Sequence, residues 1–197
     1  MRKGASDSVI VNNFFTLASI ILIVIVIVIY SKYIVDDGFD EITKTQVVPL
    51  ECEKEVFTVS KVYNQELLNE SMKALNKGYY RFQGDYKKSL KMESIIESFI
   101  SINEMNSYYI DTIGKTPKKD INKYLTIKYE IIENDRKDNS KKLTECKFCS
   151  GAILTTFMAE DKEIFKFYMD FRLFDKKEIA SAIDCTIKVY ENHVKKL

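Results

Sequence analysis

The chain has 197 residues, 30 Lys and Arg against 29 Asp and Glu, and a formal net charge of +1. From residue 36 onward 27 basic residues stand against 28 acidic ones, which lacks the cationic excess of nucleic-acid binders, so no nucleic-acid partner is expected. Two Pro and six Gly, with 12 Phe and 12 Tyr, argue against long disorder and for a packed core.

Residues 1–13 read as a short cytoplasmic tail. Phe14 to Tyr30 is an apolar run whose only polar side chains before Tyr30 are Thr16 and Ser19. Continued to Val35 it covers 22 residues, roughly 33 Å as a helix, which is enough to span a hydrocarbon core. The stretch Ile23 to Ile29 is β-branched throughout and would favour a strand in water. In lipid a lone strand leaves its peptide groups unpaired, so a helix is expected. Lys32 can snorkel near its end.

Arg2 and Lys3 precede the run as the n-region of a secretory signal would. However, Tyr30-Ser31-Lys32-Tyr33-Ile34-Val35 offers no small-x-small cleavage site, so the reading is an uncleaved signal anchor over 14–35. Lys and Arg balance across the run. The α-amino group, Asp36, Asp37, Asp40 and Glu41, and the cysteines of the large domain favour a cytoplasmic N-terminus and an extracytoplasmic C-terminal domain. This corresponds to a single-pass protein of the cell (inner) membrane, with a periplasmic or equivalent domain.

Asp36 to Gln46 reads as a stalk, and 47–197 as one α+β domain. Val56 to Val59 has strand character, and Pro49 confines any earlier strand to an edge. A helix is expected from about Tyr63 to Lys77, stopped by Gly78, with Tyr79 to Gln83 as a short strand or link. Asp85 can cap a longer helix to about Asn106, with Leu90, Ile95, Ile96, Phe99, Ile102 and Met105 as its core stripe.

Beyond that the period becomes two. Tyr124 to Ile132 is a half-buried strand with Leu125, Ile127, Tyr129 and Ile131 on one face. Glu133 to Lys142 reads as a solvated hairpin loop, Leu143 to Phe148 as its return strand, and Ala152 to Met158 as a third strand. After a turn at Ala159 to Glu163, Ile164 to Phe174 is the longest strand. Phe165, Phe167, Met169, Phe171 and Leu173 face in, while Lys166, Asp170 and Arg172 face water. Asp175 caps a terminal helix with a stripe of Ile179, Ala182, Ile183, Thr186, Ile187, Tyr190, Val194 and Leu197. The expected domain is an antiparallel sheet of about four strands, covered by helices on one side only.

Cys146-Lys147-Phe148-Cys149, with isolated Cys52 and Cys185, is the distinctive spacing. A thioredoxin-type pair would sit at a helix N-terminus, and a zinc ribbon would bring a second C-x-x-C; neither context is present. Two structural disulfides among Cys52, Cys146, Cys149 and Cys185 are expected. If a strand continues through Cys149, each of that pair bonds a remote partner, because residues three apart on a strand are roughly 10 Å apart. Ser150-Gly151 permits a turn, which leaves Cys146–Cys149 with Cys52–Cys185 open. Cys185 falls on the polar side of the terminal helix, where a free thiol would be a liability.

His193 reads as a capping or packing residue near the C-terminus. Glu51/Glu53 and Glu160/Asp161 read as solvated acids. No G-x-S-x-G, H-E-x-x-H, P-loop or G-x-G-x-x-G occurs, so no enzyme activity, catalytic residue, metal or cofactor is expected. The expected role is binding another membrane or envelope protein, through unpaired strand edges and an exposed Tyr79-Tyr80-Arg81-Phe82 segment. Contexts that fit are a secretion, conjugation, pilus or flagellar assembly subunit, or the accessory partner of a membrane-bound transcription regulator. Two further readings are a tethered sensor with an apolar ligand between helices and sheet, and a thiol oxidoreductase using Cys146 and Cys149. The oligomeric state is not legible.

Overall fold

A computed structural model describes residues 16–26, 28, 47–89, 92–119, 124–134 and 149–194. The expectations for the tail 1–13, the stalk 36–46, Leu90, the loop 135–142, the return strand 143–148, Cys146 and Leu197 lie outside the described residues. The chain divides into two units, 1–46 and 47–197.

In the first unit residues 16–26 are helical. Their apolar side chains are exposed on several faces, Leu22 at 62 % and Ile25 at 48 %. Residues 14, 15, 27 and 29–35 of the expected span lie outside the described residues. Among the described residues no helix is long and apolar enough to cross a membrane.

The second unit is α+β. Its sheet has five strands: β1 (Thr58–Val62), β2 (Tyr80–Lys87), β3 (Leu125–Glu133), β4 (Gly151–Ala159) and β5 (Lys162–Phe171). Its helices are α1 (Glu51–Lys54), α2 (Gln65–Asn76), α3 (Ile96–Phe99), α4 (Ile102–Ile113) and α5 (Lys176–His193). The spatial order is β1-β5-β4-β3-β2. The pairs β1·β5, β5·β4 and β4·β3 are antiparallel, whereas β2·β3 is parallel. The sheet is therefore mixed and five-stranded, not antiparallel with about four strands.

The parallel pair accounts for the largest departure from the sequence pattern. Asp85 caps no helix; it lies inside β2, in register with Glu130, and its carboxylate accepts from the Tyr86 amide (2.8 Å). Phe82, Gly84 and Tyr86 alternate onto the face that holds Ile127, Tyr129 and Ile131. The expected long helix is two: Ile100 is extended (φ −144°, ψ 133°), and Ser101 then caps α4 by accepting from the Glu104 amide (3.2 Å). Two parallel neighbours need a crossover, and α3 and α4 supply it.

Other elements follow their local chemistry. Asn64 caps α2, whose C-terminus leads into Gly78 at φ +73°, and Asp175 caps α5. The β4–β5 hairpin turns on Glu160 and Asp161, both at positive φ. Residues 51–54 form a helical turn, and among the described residues no strand precedes β1. The antiparallel neighbour of β3 is β4, with Glu133 opposite Gly151.

The inner face is an aromatic layer. Phe157 stacks on Tyr190 of α5 with centroids 4.1 Å apart, and Tyr109 of α4 on Tyr129 at 5.1 Å. Each buried phenol has a partner, as does half-buried Tyr86: Tyr109 with Thr155 Oγ1 (2.7 Å), Tyr190 with Ser71 (2.5 Å), Tyr129 to Asn106 Oδ1 (2.7 Å), Tyr86 to the Ile100 carbonyl (2.7 Å), and Tyr80 to the Lys115 carbonyl. Burial pushes the Tyr80 phenol up to about 12 and raises those of Tyr109, Tyr129 and Tyr190. Leu173, expected in this layer, is 63 % exposed and lies beyond β5.

Cys52 of α1 is bonded to Cys185 of α5, with Cα atoms 5.9 Å apart. Cys185 is fully buried rather than water-facing, because residues 47–56 cover that side of α5; Asn192 also donates to the Val48 carbonyl (3.1 Å). Closing 133 residues limits the unfolded chain, an effect of about 5 kcal/mol in the chain-entropy account.

Gly84 leaves room for Tyr129, whose hydroxyl would lie 2.5 Å from an added Cβ. Gly84→Ala is expected to lower the unfolding free energy by about 1–3 kcal/mol in urea titration, the usual cost of overpacking. An unchanged midpoint would contradict this packing.

Candidate functional site: the open face of the sheet

The helices that contact the inner face leave the opposite face of the sheet to be accounted for. On β1 the bulky side chains Phe57, Val59, Lys61 and Tyr63 lie outward, while Thr58, Ser60 and Val62 share the face of Met169, Phe167 and Phe165. The outward set forms a groove of about 310 Å³ together with Leu154, Lys166 and Tyr168. Its aromatic wall is Phe57 edge-on to Tyr168 (centroids 6.1 Å) and Tyr63 under the Lys61 ammonium (4.7 Å). Val59 is 49 % and Tyr63 42 % exposed, an apolar display on an edge strand. A hollow of about 140 Å³ shares Leu154 and Lys166 and adds Lys128, Glu130, Thr156 and Glu163.

The edge of β1 is open in its hydrogen bonding. Tyr63 N–H donates to the Ile164 carbonyl and Asp170 N–H to the Phe57 carbonyl, so the odd-numbered residues 57 to 63 bond to β5. By antiparallel alternation the amides and carbonyls of Thr58, Ser60 and Val62 point away from the sheet. Among the described residues no backbone group bonds them.

Asp170, expected to face water, is 1 % exposed, and its amide donates to the Phe57 carbonyl. Tyr168 donates to its Oδ1 (2.7 Å), and its Oδ2 is buried without a partner among the described residues. Burial raises the Asp170 carboxyl, which the Tyr168 bond only partly opposes; Tyr168 is raised by burial and then by the facing carboxylate.

The expected contact segment is not uniformly exposed. Tyr80 is buried in the core, Phe82 packs half-buried beside Tyr80 (5.2 Å) and Tyr109 (5.6 Å), and Tyr79 is half-buried. Arg81 alone is exposed, its guanidinium 3.8 Å over the Tyr124 ring and its Nε donating to Thr126 Oγ1. An edge strand buries alternate side chains even where its backbone is open, which a four-residue aromatic run conceals.

Of the cysteines, Cys52 and Cys185 are paired and Cys149, 5 % exposed, is also disulfide-bonded. The alternative in which Cys52 and Cys185 each bond one member of the C-x-x-C is thereby set aside. His193 packs on Phe165 (5.2 Å), and its Nδ1 meets the Val189 carbonyl (2.8 Å), so Nδ1 carries the proton. Glu51 pairs with Lys54 at the surface, which lowers its carboxyl below the usual range. Among the described residues no three His, Cys, Asp or Glu side chains could hold a metal ion.

The open face went unread in the sequence, although the signal was there: bulky residues fall on the odd positions 57 to 63 of β1, opposite to its small core-facing ones. No family model matches the chain, and neither the curated proteins nor the solved structures contain a significant match to it.

The folded state holds the Asp170 proton more tightly than the unfolded chain, with its ordinary value near 3.8. Its contribution to stability is therefore present at low pH and lost as pH rises through the raised folded value. Asp170→Asn is expected to gain stability relative to the wild type as the pH rises above about 4 in urea titrations. A difference independent of pH would contradict the assignment.

Proposed function

We propose that the chain is a single-pass membrane protein whose extracytoplasmic domain, 47–197, binds an extended segment of another membrane or envelope protein along β1. The observation that carries this reading is the coincidence of the free β1 edge with the groove beside it. An added strand would take the outward amides and carbonyls of Thr58, Ser60 and Val62, while alternate side chains enter the Phe57–Tyr63 groove. Lys61 and Lys166 at the groove suit apolar residues flanked by acids.

The tether rests on the exposed apolar residues of 16–26 and the uncharged run that contains them, because a helix apolar on all sides needs a core or a bilayer around it. The Cys52–Cys185 bridge supports an oxidising compartment for the domain. Confinement to the membrane plane raises the effective concentration of the domain for a co-resident partner. An assembly subunit of an envelope machine and an accessory partner of a membrane regulator both fit.

The groove volume also favours a second reading, a tethered sensor of a small apolar ligand, since about 310 Å³ is at the lower limit for small-molecule sites. Its place is then the open face, not the space between helices and sheet, which the aromatic layer fills. A thiol oxidoreductase gains less support, since Cys149 is 5 % exposed.

Ser60→Pro separates these readings, because it removes an outward amide that the fold does not use. The variant is expected to melt within about 4 °C of the wild type. In native membranes a photocrosslinker at Val59 is expected to give one discrete protein adduct in the wild-type background and none with Ser60→Pro. An adduct that survives Ser60→Pro would contradict strand addition, and no adduct in either background would favour the ligand reading.

A further inference from the structure

At the end of the sheet where β2 and β3 begin, two basic segments distant in sequence converge. Lys77, Gly78, Tyr79 and Arg81 come from the α2–β2 junction, and Lys115, Lys118 and Lys119 from the segment after α4. Lys118 N–H donates to the Gly78 carbonyl (2.9 Å), and Tyr80 to the Lys115 carbonyl. The approach is close enough that a Cβ on Gly78 would meet the Thr116 carbonyl oxygen at 2.6 Å. The junction is thus held by a backbone bond and by the Tyr80 phenol.

All five cations are exposed, and none forms an ion pair among the described residues. Two already lie on aromatic faces: Lys118 4.9 Å over Tyr79, and Arg81 3.8 Å over Tyr124. Stacking and the Nε bond to Thr126 steady Arg81, and its terminal nitrogens make no hydrogen bond among the described residues. Among the described residues the acids at this end of the neighbouring strands are Glu160, Asp161 and Glu163 of the β4–β5 hairpin, beyond β3 from Arg81. The domain is close to neutral, so this cluster is a local concentration and not a reflection of composition.

We propose that this basic, tyrosine-backed corner docks the domain on anionic lipid headgroups. It rests on the tethered reading for its setting. The 11 residues of 36–46 span at most about 40 Å, a tether short enough for the domain to reach phosphate headgroups. Lys and Arg beside half-buried Tyr rings match such an interface, where ammonium and guanidinium groups meet phosphate and phenols sit at headgroup level. The β1 edge lies at the opposite end of the strand order, so the two surfaces can be occupied together.

Residues 47–197 hold the whole core and the Cys52–Cys185 bridge, so their lipid binding can be measured apart from the anchor. In co-sedimentation they are expected to bind vesicles containing phosphatidylglycerol, to ignore pure phosphatidylcholine, and to lose binding as salt rises. Lys115→Glu with Lys118→Glu and Lys119→Glu is expected to weaken partitioning at least about tenfold with an unchanged melting temperature. Equal binding to both vesicle types, or wild-type binding by the triple variant, would overturn the proposal. So would loss of binding to a little inorganic phosphate at constant ionic strength, which would mark a free-anion site. Failure here leaves the tethered reading intact, because that rests on the N-terminal run and is tested separately by whether alkaline carbonate extracts the full chain from membranes.

Discussion

The fold depends on how buried tyrosines satisfy their hydroxyls. Tyr80, Tyr86, Tyr109, Tyr129 and Tyr190 lie between the sheet and the elements packed on it, and each phenol oxygen finds at least one polar partner. An unpaired buried hydroxyl costs about 1–3 kcal/mol, so the partners restrict where α2, α4 and α5 can sit. A layer of Leu and Ile could slide; this one has a register. Ser71, Thr155 and Asn106 are the polar positions that an apolar core would not need.

This layer also explains why the two faces of the sheet differ. The large rings of β3, β4 and β5 and their hydroxyl partners occupy the inner side, and the bridge from Cys52 to Cys185 adds the 47–56 segment over the far side of α5. On the outer side, β1 turns Phe57, Val59 and Tyr63 toward solvent beside three amides that no backbone group pairs among the described residues. An isolated domain has no use for such an edge, which is a liability unless something pairs with it.

Much of the architecture was readable from period and caps. Asn64, Asp175 and Gly78 delimit helices as their chemistry dictates, and the alternation of β3 and β5 marks their buried faces. What escaped was set by non-local pairing. Asp85 looks like a cap until β3 supplies a parallel neighbour, and Gly84 looks like a break until the Tyr129 ring fills its place. Cys185 lies off the helical stripe yet is buried, because a segment 133 residues away covers it. Asp170 alternates with core residues as a surface residue would, yet the 55–57 stretch and Tyr168 bury it. The open face was hidden for the same reason, since a short strand does not declare which of its sides the sheet will cover.

Hydroxyl-radical footprinting tests the one-sided design most directly, comparing the purified domain with the full chain in native membranes. Phe57, Tyr63 and Tyr168 should react in the purified domain and become protected in membranes, while Tyr80, Tyr109, Tyr129 and Tyr190 stay protected in both. Reactive inner tyrosines would contradict the layered fold, and open-face residues equally reactive in both states would contradict its use as a binding surface.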